Sequence, residues 1–355
     1  MRALRWHGPR DLRLTELIEP SLQPGELRVS VAYCGICGSD LHEYANGPHA
    51  IPVESPHPLS QRKAPLTLGH EFCGTVVESA QPGVNVGTPV AIEPEYRCGQ
   101  CEECRAGRYN LCRHMGFIGL MGDGGMADTA VVPAYAAHVL PEAVSLRQAA
   151  VFEPAAVSLH ALRRSSLQAG DDCVVFGLGP IGLLLVALLR KCGAGRIVAV
   201  DVDAQRLERA GALGASHTVD ARQADPVQAV LAATGGRGAA VALEAVGSQA
   251  TLDGCLRAVR KGGEVMLVGL MGEARFDAFD MVNRELRLST SVGYRDVFPT
   301  LIDWTARGEF DPAAIVTRVV SLEEAVPRGF EALLQDKAQV KVLVTPQAAL
   351  AEDAA

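Results

Sequence analysis

The sequence predicts an α/β protein that combines an all-β part with a parallel sheet covered by helices. Up to about residue 145 the chain is rich in glycine, proline and short β-type runs such as Glu26–Ala32, Thr75–Val77 and Thr129–Val132, which are typical of an all-β segment with long loops. From Val151 onward, strand-like runs alternate with helix-like runs, and this alternation indicates a parallel sheet with helices on both faces. A chain of 355 residues is long enough for two such domains.

The elements of the second part follow from apolar runs of strand or helix length. Strands are predicted at Asp172–Phe176, Arg196–Val200, Ala239–Glu244 and Gly263–Val268, and helices at Leu183–Leu189 and Gln205–Leu213. After them the chain returns to mixed character, with a helix predicted at Phe298–Thr305 and a terminal strand at Val340–Val344.

Composition excludes several classes of protein. Hydrophobic residues make up 48% and charged residues 21% of the chain, as in ordinary globular proteins. The net charge of -8 argues against non-specific binding to nucleic acid or to an anionic membrane. The N-terminus lacks an apolar signal region, and the most apolar run, Ile181–Leu189, is roughly half the length of a membrane span. We therefore expect a cytoplasmic protein with no nucleic-acid or membrane partner.

Four of the ten cysteines cluster within fifteen residues, at Cys98, Cys101, Cys104 and Cys112. Thiolates two residues apart can bind one metal ion from a tight loop, and four thiolates complete the tetrahedron that zinc prefers. Because no coordination position is left open, this zinc would be structural. An iron–sulfur cluster and a set of unrelated buried thiols are the alternatives.

A second metal site is indicated by Cys37 in CGICGSDLH, by His70 in a Gly-His-Glu triplet and by a later Glu-Pro at residues 153–154. A catalytic zinc uses three protein ligands, keeps one position open and lowers the pKa of a bound alcohol. Ser39 would pass the alcohol proton towards His42, whose pKa suits exchange with solvent. The alternative is that Ser39 caps a turn and His42 is a surface histidine.

A glycine motif follows the first predicted strand of the second part and opens a predicted helix. It consists of Gly177, Leu178, Gly179, Pro180, Ile181 and Gly182. In a dinucleotide-binding fold the first glycine makes the turn, the second lets the pyrophosphate approach, and the third packs helix against strand. Asp201 ends the next strand, where a carboxylate binds the adenosine ribose and repels a 2′-phosphate. NAD is therefore favoured over NADP, although Arg206 nearby weakens this preference, and the alternative for Asp201 is a helix cap.

These motifs, in this order, resemble the zinc-containing medium-chain dehydrogenase/reductase family, in which zinc alcohol dehydrogenases are found. The resemblance rests on CGICGSDLHEY, LGHEFCG, the four-cysteine loop, VFEPAAVSLHA and FGLGPIG, and it covers nearly the whole chain. Within the family, residues 43–70, GFIGLMGDGGMAD and SVGYRDVFP resemble the 2,3-butanediol dehydrogenase branch, to which sorbitol and threonine dehydrogenases are close. Gly87-Thr-Pro-Val replaces the usual Gly-Asp-Arg-Val, a departure in a barrel turn.

The resemblance implies a GroES-like β-barrel catalytic domain at residues 1–154 and 296–355, with a Rossmann NAD-binding domain inserted at 155–295. It implies zinc ligation by Cys37 and His70, a movement of Glu71 onto the metal during turnover, and a third ligand in Glu153, bound directly or through water. Further residues are implied to hold the nicotinamide through their backbone, although they are otherwise plain strand ends: Val268, Gly269, Leu270, Ser291, Val292 and Gly293.

The predicted function is hydride transfer between NAD and a small secondary alcohol or its ketone, with two zinc ions in each chain. A vicinal diol such as 2,3-butanediol, with acetoin as the ketone, fits the branch best. A sorbitol-type polyol or threonine dehydrogenase is the alternative, and a non-catalytic NAD-binding zinc protein is a remote one. The family also implies a homodimer or homotetramer.

Overall fold

The computed structural model describes residues 1–351 of the chain, which form two compact units. The first unit runs from Met1 to Glu153 and resumes at Phe298, and the second spans Pro154–Val297. The divisions predicted from the sequence lie after residues 154 and 295. Among the described residues, every helix is too short or too polar to cross a membrane.

Short strands dominate the first unit, as its composition predicts. Its first segment contains β1 (Arg2–Gly8), β2 (Asp11–Glu16), β3 (Glu26–Gly35), α1 (Gly38–Asn46), β4 (Leu66–Thr67), β5 (Glu71–Ser79), β6 (Pro89–Ile92), β7 (Glu95–Tyr96), α2 (Glu102–Arg105), β8 (Gly116–Phe117), β9 (Thr129–Pro133), β10 (Ala137–Val139) and α3 (Leu146–Ala149). Helix α4 (Phe152–Arg164) crosses into the second unit.

The second unit alternates strands and helices. It contains β11 (Cys173–Phe176), α5 (Pro180–Lys191), β12 (Ile197–Asp201), α6 (Ala204–Ala212), β13 (His217–Asp220), α7 (Pro226–Ala233), β14 (Ala239–Glu244), α8 (Gln249–Ala258), β15 (Val259–Leu267), α9 (Ala278–Asn283) and β16 (Arg287–Thr290). The chain then completes the first unit with α10 (Phe298–Ala306), β17 (Val316–Ser321), α11 (Glu331–Gln335) and β18 (Lys341–Thr345).

Strands from both segments build the main sheet of the first unit. Its order is β10-β6-β5-β3-β18-β17, and β9 also pairs with β3. The C-terminal strand β18 pairs antiparallel with β3, where Leu343 faces Gly35 and Val344 faces Cys34. Trp6, Phe72 and Phe330 are among the largest side chains in the core beneath this sheet. Strand β18 therefore pairs with the strand that ends two residues before Cys37.

The second unit is a six-stranded parallel sheet in the order β13-β12-β11-β14-β15-β16. Numbered from its first strand, this order is 3-2-1-4-5-6, the arrangement of dinucleotide-binding folds. The central strand β11 (CVVF) is buried throughout because helices cover both faces of the sheet. The predicted parallel sheet is therefore confirmed, and the glycine motif follows its central strand.

Most predicted elements are present with small differences at their ends. Strand β15 begins at Val259, before the predicted Gly263, because Val259 pairs with Ala239 across a register shift, and the regular ladder resumes only at Glu264. The two edge strands were not expected, because β13 (HTVD) and β16 (RLST) carry few apolar residues and are largely exposed or half-buried. Edge strands need little apolar surface, so periodicity does not reveal them.

Candidate metal centres and nucleotide site

Helix α1 carries most of the predicted catalytic residues of the first unit. Cys37 occupies its N-cap position, and the Asp40 carboxylate accepts the Cys37 backbone N–H at 3.0 Å. Ser39 lies in the first turn and His42 three residues later, so both belong to one side of the helix. The end of strand β3 and the start of this helix thus fix Cys37 at a turn that Asp40 stabilises.

Cys37, His70 and Glu71 form one of two groups in the described part of the chain that could hold a metal ion. Their candidate ligand atoms all lie within 4.8 Å of one another, and His70 and Glu71 are buried. The Nε2 atom of His70 is 3.3 Å from the Ser39 hydroxyl oxygen. A thiol, an imidazole and a carboxylate are the ligand types of catalytic zinc sites, so these residues fit the ion.

Asp40 faces the other ring nitrogen of His70. Its Oδ1 atom is 3.6 Å from His70 Nδ1, and neither atom has another hydrogen-bond partner among the described residues. Burial disfavours the charged imidazole, but Asp40 and Cys37 outweigh burial and raise the pKa of His70 well above its ordinary value. A histidine that binds a metal through one ring nitrogen commonly donates the N–H of the other ring nitrogen to a carboxylate. The position of Asp40 beside Nδ1 therefore leaves Nε2 for the metal.

Glu71 forms an ion pair with a buried lysine, Lys341, which was not among the site residues predicted from the sequence. Lys341 Nζ lies 2.7 Å from Oε1 and 2.6 Å from Oε2 of Glu71, and it donates to the Ile36 carbonyl at 3.0 Å. Burial opposes the charge on Lys341, but Glu71 and Cys37 raise its pKa above the usual value. The carboxylate predicted to move onto the metal is therefore already paired with an ammonium group.

Glu153, the third predicted ligand, is buried in the first turn of α4. It does not join the group formed by Cys37, His70 and Glu71 within the 4.8 Å range. Its charge does reach Lys341, whose pKa it helps to raise. Ligation by Glu153 thus stays a prediction, and the structure brings Glu71 nearer to the other two ligands.

Helix α1 also carries an exposed histidine, and an aromatic ring lies beside His70. His42 is exposed, and its ring lies 6.3 Å from the ring of His49, which is also exposed. The ring of Phe117 lies 6.2 Å from that of His70. The site thus combines an exposed histidine suited to proton exchange with an aromatic ring beside the candidate ligand.

The four-cysteine loop forms the second group that could hold a metal. Cys98, Cys101, Cys104 and Cys112 place their sulfur atoms within 4.8 Å of one another. The Cys98–Cys104 and Cys101–Cys112 sulfur pairs are separated by 3.9 and 4.0 Å. A tetrahedron with zinc–sulfur bonds of about 2.3 Å has edges of about 3.8 Å, so the four sulfurs fit zinc closely.

Backbone N–H groups stabilise the thiolate form of two cysteines in this cluster. Those of Arg113 and Cys104 lower the pKa of Cys101 to about 6, and that of Gln100 contributes most to a lowered pKa of Cys98. By contrast, burial and the neighbouring Cys101 raise the pKa of Cys104 to about 12. Thiolates are the metal-binding form of cysteine, so the loop stabilises two of them before any ion is bound.

In the second unit, two of the three glycines of the motif, Gly177 and Gly182, show a steric reason for their presence. Gly177 has a φ angle of +91°, and a Cβ on Gly182 would lie 1.8 Å from the Gly177 carbonyl oxygen. A Cβ on Gly179 would meet nothing within 4 Å, so the chain is open beside the first turn of α5. Pro180 and Ile181 begin this helix. A helix N-terminus with open backbone fits a pyrophosphate group.

Asp201 ends β12 beside this turn. Its carboxylate accepts backbone N–H groups from Leu178 at 2.6 Å and from Val202 at 2.7 Å. The cap of α6 is Asp203, which accepts the N–H groups of Gln205 and Arg206. Asp201 is therefore not the helix cap, and Arg206 lies half-buried in the first turn of α6.

The residues predicted to face the nicotinamide lie after β15 and β16. The backbone N–H groups of Val268 and Gly269 both donate to the Glu244 carbonyl at 2.9 Å. Leu270 is 77% exposed and Val292 is 47% exposed. Ser291 has a buried hydroxyl, and Gly293 has a positive φ angle of 52°. Their contact with a cofactor stays a prediction.

Two residues of the metal site were missed by sequence reasoning. Asp40 stands inside the CGICGSDLH motif, and its spacing of three from Cys37 could have identified it as a capping residue. Lys341 offers no such signal, since it lies 270 residues from its partner Glu71.

Comparison with known proteins identifies the family. Residues 23–142 match the alcohol dehydrogenase GroES-like domain, and residues 180–307 match the zinc-binding dehydrogenase domain. The (R,R)-butanediol dehydrogenase of Bacillus subtilis is 40% identical over 98% of this chain and 100% of its own length. The sorbitol dehydrogenase of the same organism is 34% identical over 98% of this chain and 97% of its own length.

Solved structures agree with this assignment. A crystal structure of 2R,3R-butanediol dehydrogenase from Bacillus subtilis superposes with a TM-score of 0.92 at 39% identity, covering 98% of this chain and 99% of that one. A zinc-binding dehydrogenase from Sinorhizobium meliloti bound to NADP gives a TM-score of 0.89 at 32% identity, covering 97% and 99%. This chain therefore belongs to the zinc-containing alcohol dehydrogenase family, whose members transfer hydride between CH–OH groups and a nicotinamide cofactor.

Proposed function

We propose that the protein catalyses the reversible oxidation of a small vicinal diol by NAD, with (R,R)-2,3-butanediol and acetoin as the preferred pair. The observation that carries this proposal is the identity of 40% to an (R,R)-butanediol dehydrogenase over essentially the whole chain. A second enzyme of that name, from Neisseria gonorrhoeae, is 33% identical over 98% of this chain. The Phe117 ring beside His70 also favours a small apolar substituent on the carbinol carbon.

In this proposal each residue near Cys37 has one task. Cys37, His70 and Glu153 would hold a zinc ion, which would act as a Lewis acid and lower the pKa of the substrate hydroxyl. Ser39 accepts the hydroxyl proton and passes its own proton towards exposed His42, three residues along the same helix, which releases a proton to solvent. Asp40 would keep the His70 ring in the orientation that leaves Nε2 for the metal.

The cofactor and metal content are also part of the proposal. The sulfur separations of about 3.9 Å support a second, structural zinc held by the four cysteines. NAD is preferred over NADP because the Asp201 carboxylate lies at the end of β12, where it would repel a 2′-phosphate. We further propose a homodimer or homotetramer, and the cytoplasmic location expected from the sequence stays a prediction.

A polyol dehydrogenase of the sorbitol type is the second candidate. The observation in its favour is the identity of 34% to a sorbitol dehydrogenase over 98% of this chain. A threonine dehydrogenase is a weaker alternative. The idea of a non-catalytic zinc protein is set aside, since the chain belongs to a family of enzymes and contains every ligand type that they require.

A substrate panel tests the proposal. Purified, zinc-loaded protein is given NAD or NADP with (R,R)-butanediol, sorbitol or threonine, and kcat/KM is measured from the absorbance of the reduced cofactor. We expect the highest kcat/KM with butanediol and NAD, by at least about tenfold over sorbitol, a difference of 1.4 kcal/mol in transition-state binding. A higher value with sorbitol would favour the second candidate, and inactivity with all three alcohols would overturn both.

A further inference from the structure

The ion pair between Glu71 and Lys341 crosses a strand. Glu71 begins β5 and Lys341 begins β18, and β3 lies between these two strands in the sheet. Neighbouring strands are about 4.8 Å apart, so the two side chains must reach towards each other over β3. They meet over Gly35, where a Cβ would lie 2.0 Å from Glu71 Oε2. A glycine at this position therefore leaves room for the pair.

The pair is complete as a hydrogen-bonding unit. Lys341 is 1% exposed and Glu71 is fully buried. The three donors of the ammonium group are used by the two Glu71 oxygens and by the carbonyl oxygen of Ile36, which directly precedes the candidate ligand Cys37. To bind zinc at about 2.1 Å, Glu71 would have to turn away from Lys341, because both of its oxygens are already in use.

We propose that Lys341 is a positioning residue that holds Glu71 off the catalytic zinc and thereby keeps one coordination position open for the alcohol. Lys341 competes with the metal for the same carboxylate, and it contacts the backbone beside Cys37 at the same time. The two buried carboxylates therefore have different roles. Glu153 completes the zinc shell, whereas Glu71 is retained by the ammonium group. This role rests on the catalytic zinc site of the proposed function.

The competition predicts what happens when the ammonium group is removed. In Lys341→Met the side chain keeps its approximate length and loses its charge, so Glu71 is released within reach of Cys37 and His70. The freed carboxylate then occupies the open position. In Lys341→Arg a cation remains opposite Glu71, and the position stays open. In the double variant Lys341→Met/Glu71→Gln there is no carboxylate to move onto the metal, and no unpaired charge is left buried.

Replacement of zinc by cobalt(II) allows ligand binding at the open coordination position to be followed by visible absorption, without turnover. Each variant is loaded with cobalt, the metal content is measured, and imidazole is titrated as a probe ligand while the visible absorption bands are recorded. We expect imidazole to bind at least about tenfold more weakly to Lys341→Met than to the wild-type protein. Binding should be within about threefold of the wild type in Lys341→Arg and in the double variant. The double variant also provides the test if Lys341→Met does not fold.

The results of this experiment distinguish a failure of the proposed role of Lys341 from a failure of the proposed function. Unchanged imidazole binding in Lys341→Met, with two metals in each chain, would overturn the role of Lys341 alone. Loss of one metal from the double variant would also overturn it, because Glu71 would then be a resident ligand. A wild-type protein with one metal in each chain and no response to imidazole would overturn the catalytic site and this role together.

Discussion

At the scale of single residues, the metal site depends on charges that are buried next to the ligands. Asp40 is fully buried and contacts both candidate ligands, the Cys37 backbone at 3.0 Å and the His70 ring at 3.6 Å. A buried carboxylate is costly unless it is hydrogen-bonded or paired. Its placement indicates that it serves the site and not the stability of helix α1 alone.

Replacement of Asp40 by asparagine should weaken zinc binding at the catalytic site by about 10–100-fold, because the His70 ring loses the carboxylate that orients it. Asparagine keeps an oxygen for the Cys37 N–H, so helix α1 should remain intact. The measurement is chelator competition monitored by zinc release. Asp303→Asn, exposed on α10, is the matched control and should release zinc like the wild type. Equal zinc affinity in the two variants would show that Asp40 has no such role.

The proposed preference for NAD over NADP depends on the single side chain of Asp201. Asp201→Asn removes the charge that opposes a 2′-phosphate and keeps an acceptor for the backbone N–H groups of Leu178 and Val202. The ratio of kcat/KM with NAD to that with NADP should fall by at least about tenfold, or 1.4 kcal/mol. Steady-state kinetics with both cofactors measures the ratio. An unchanged ratio in a variant that melts like the wild type would place the cofactor selectivity elsewhere.

At the scale of elements, several arginines lie close to the end of helix α4. His160 is 4% exposed, and burial, together with Arg164, Arg295 and Arg163, lowers its pKa to about 4. In the unfolded chain its pKa is about 6.5. Below pH 6.5 the unfolded chain therefore takes up a proton that the folded chain refuses until about pH 4. The free energy of unfolding falls across this range as the pH decreases.

Replacement of His160 by glutamine should remove this contribution. Between pH 7 and pH 4.5 the wild-type protein should lose about 2 kcal/mol more unfolding free energy than the variant, since one pKa unit corresponds to about 1.4 kcal/mol. Urea unfolding at several pH values measures the difference. His217→Gln, at an exposed position in the same unit, should keep the wild-type pH dependence. Parallel curves for the wild type and His160→Gln would contradict the assignment.

The elements that hold the site were largely predictable, because each contains a local pattern. The buried strand β11, the glycine turn and α5 follow one another without interruption, and their spacing alone indicates a dinucleotide-binding fold. The four cysteines are equally local. The edge strands β13 and β16 were missed because they are short and polar. Lys341 was missed since its role depends on the pairing of β18 with β3, a contact that no local pattern encodes.

At the scale of the whole molecule, the candidate metal site combines residues that are far apart in the sequence. The first unit takes Cys37 and His70 from its first segment and Lys341 from its last strand, so the metal site is complete only when the chain has returned to that sheet. The second unit independently provides the glycine turn and Asp201. The family resemblance predicted this insertion of one domain into another, and the residues alone did not.

We propose that a zinc ion bound through Cys37 is required for the oxidation of a small diol by NAD. The most direct measurement is the rate of NADH formation from (R,R)-butanediol, with zinc content, for the wild type, Cys37→Ser and Cys192→Ser. Cys192 lies outside both candidate metal groups. We expect two zinc ions in each wild-type chain, and in Cys37→Ser one zinc with kcat/KM about a thousandfold lower. Cys192→Ser should match the wild type within about twofold. Activity of Cys37→Ser within about tenfold of the wild type would contradict the claim.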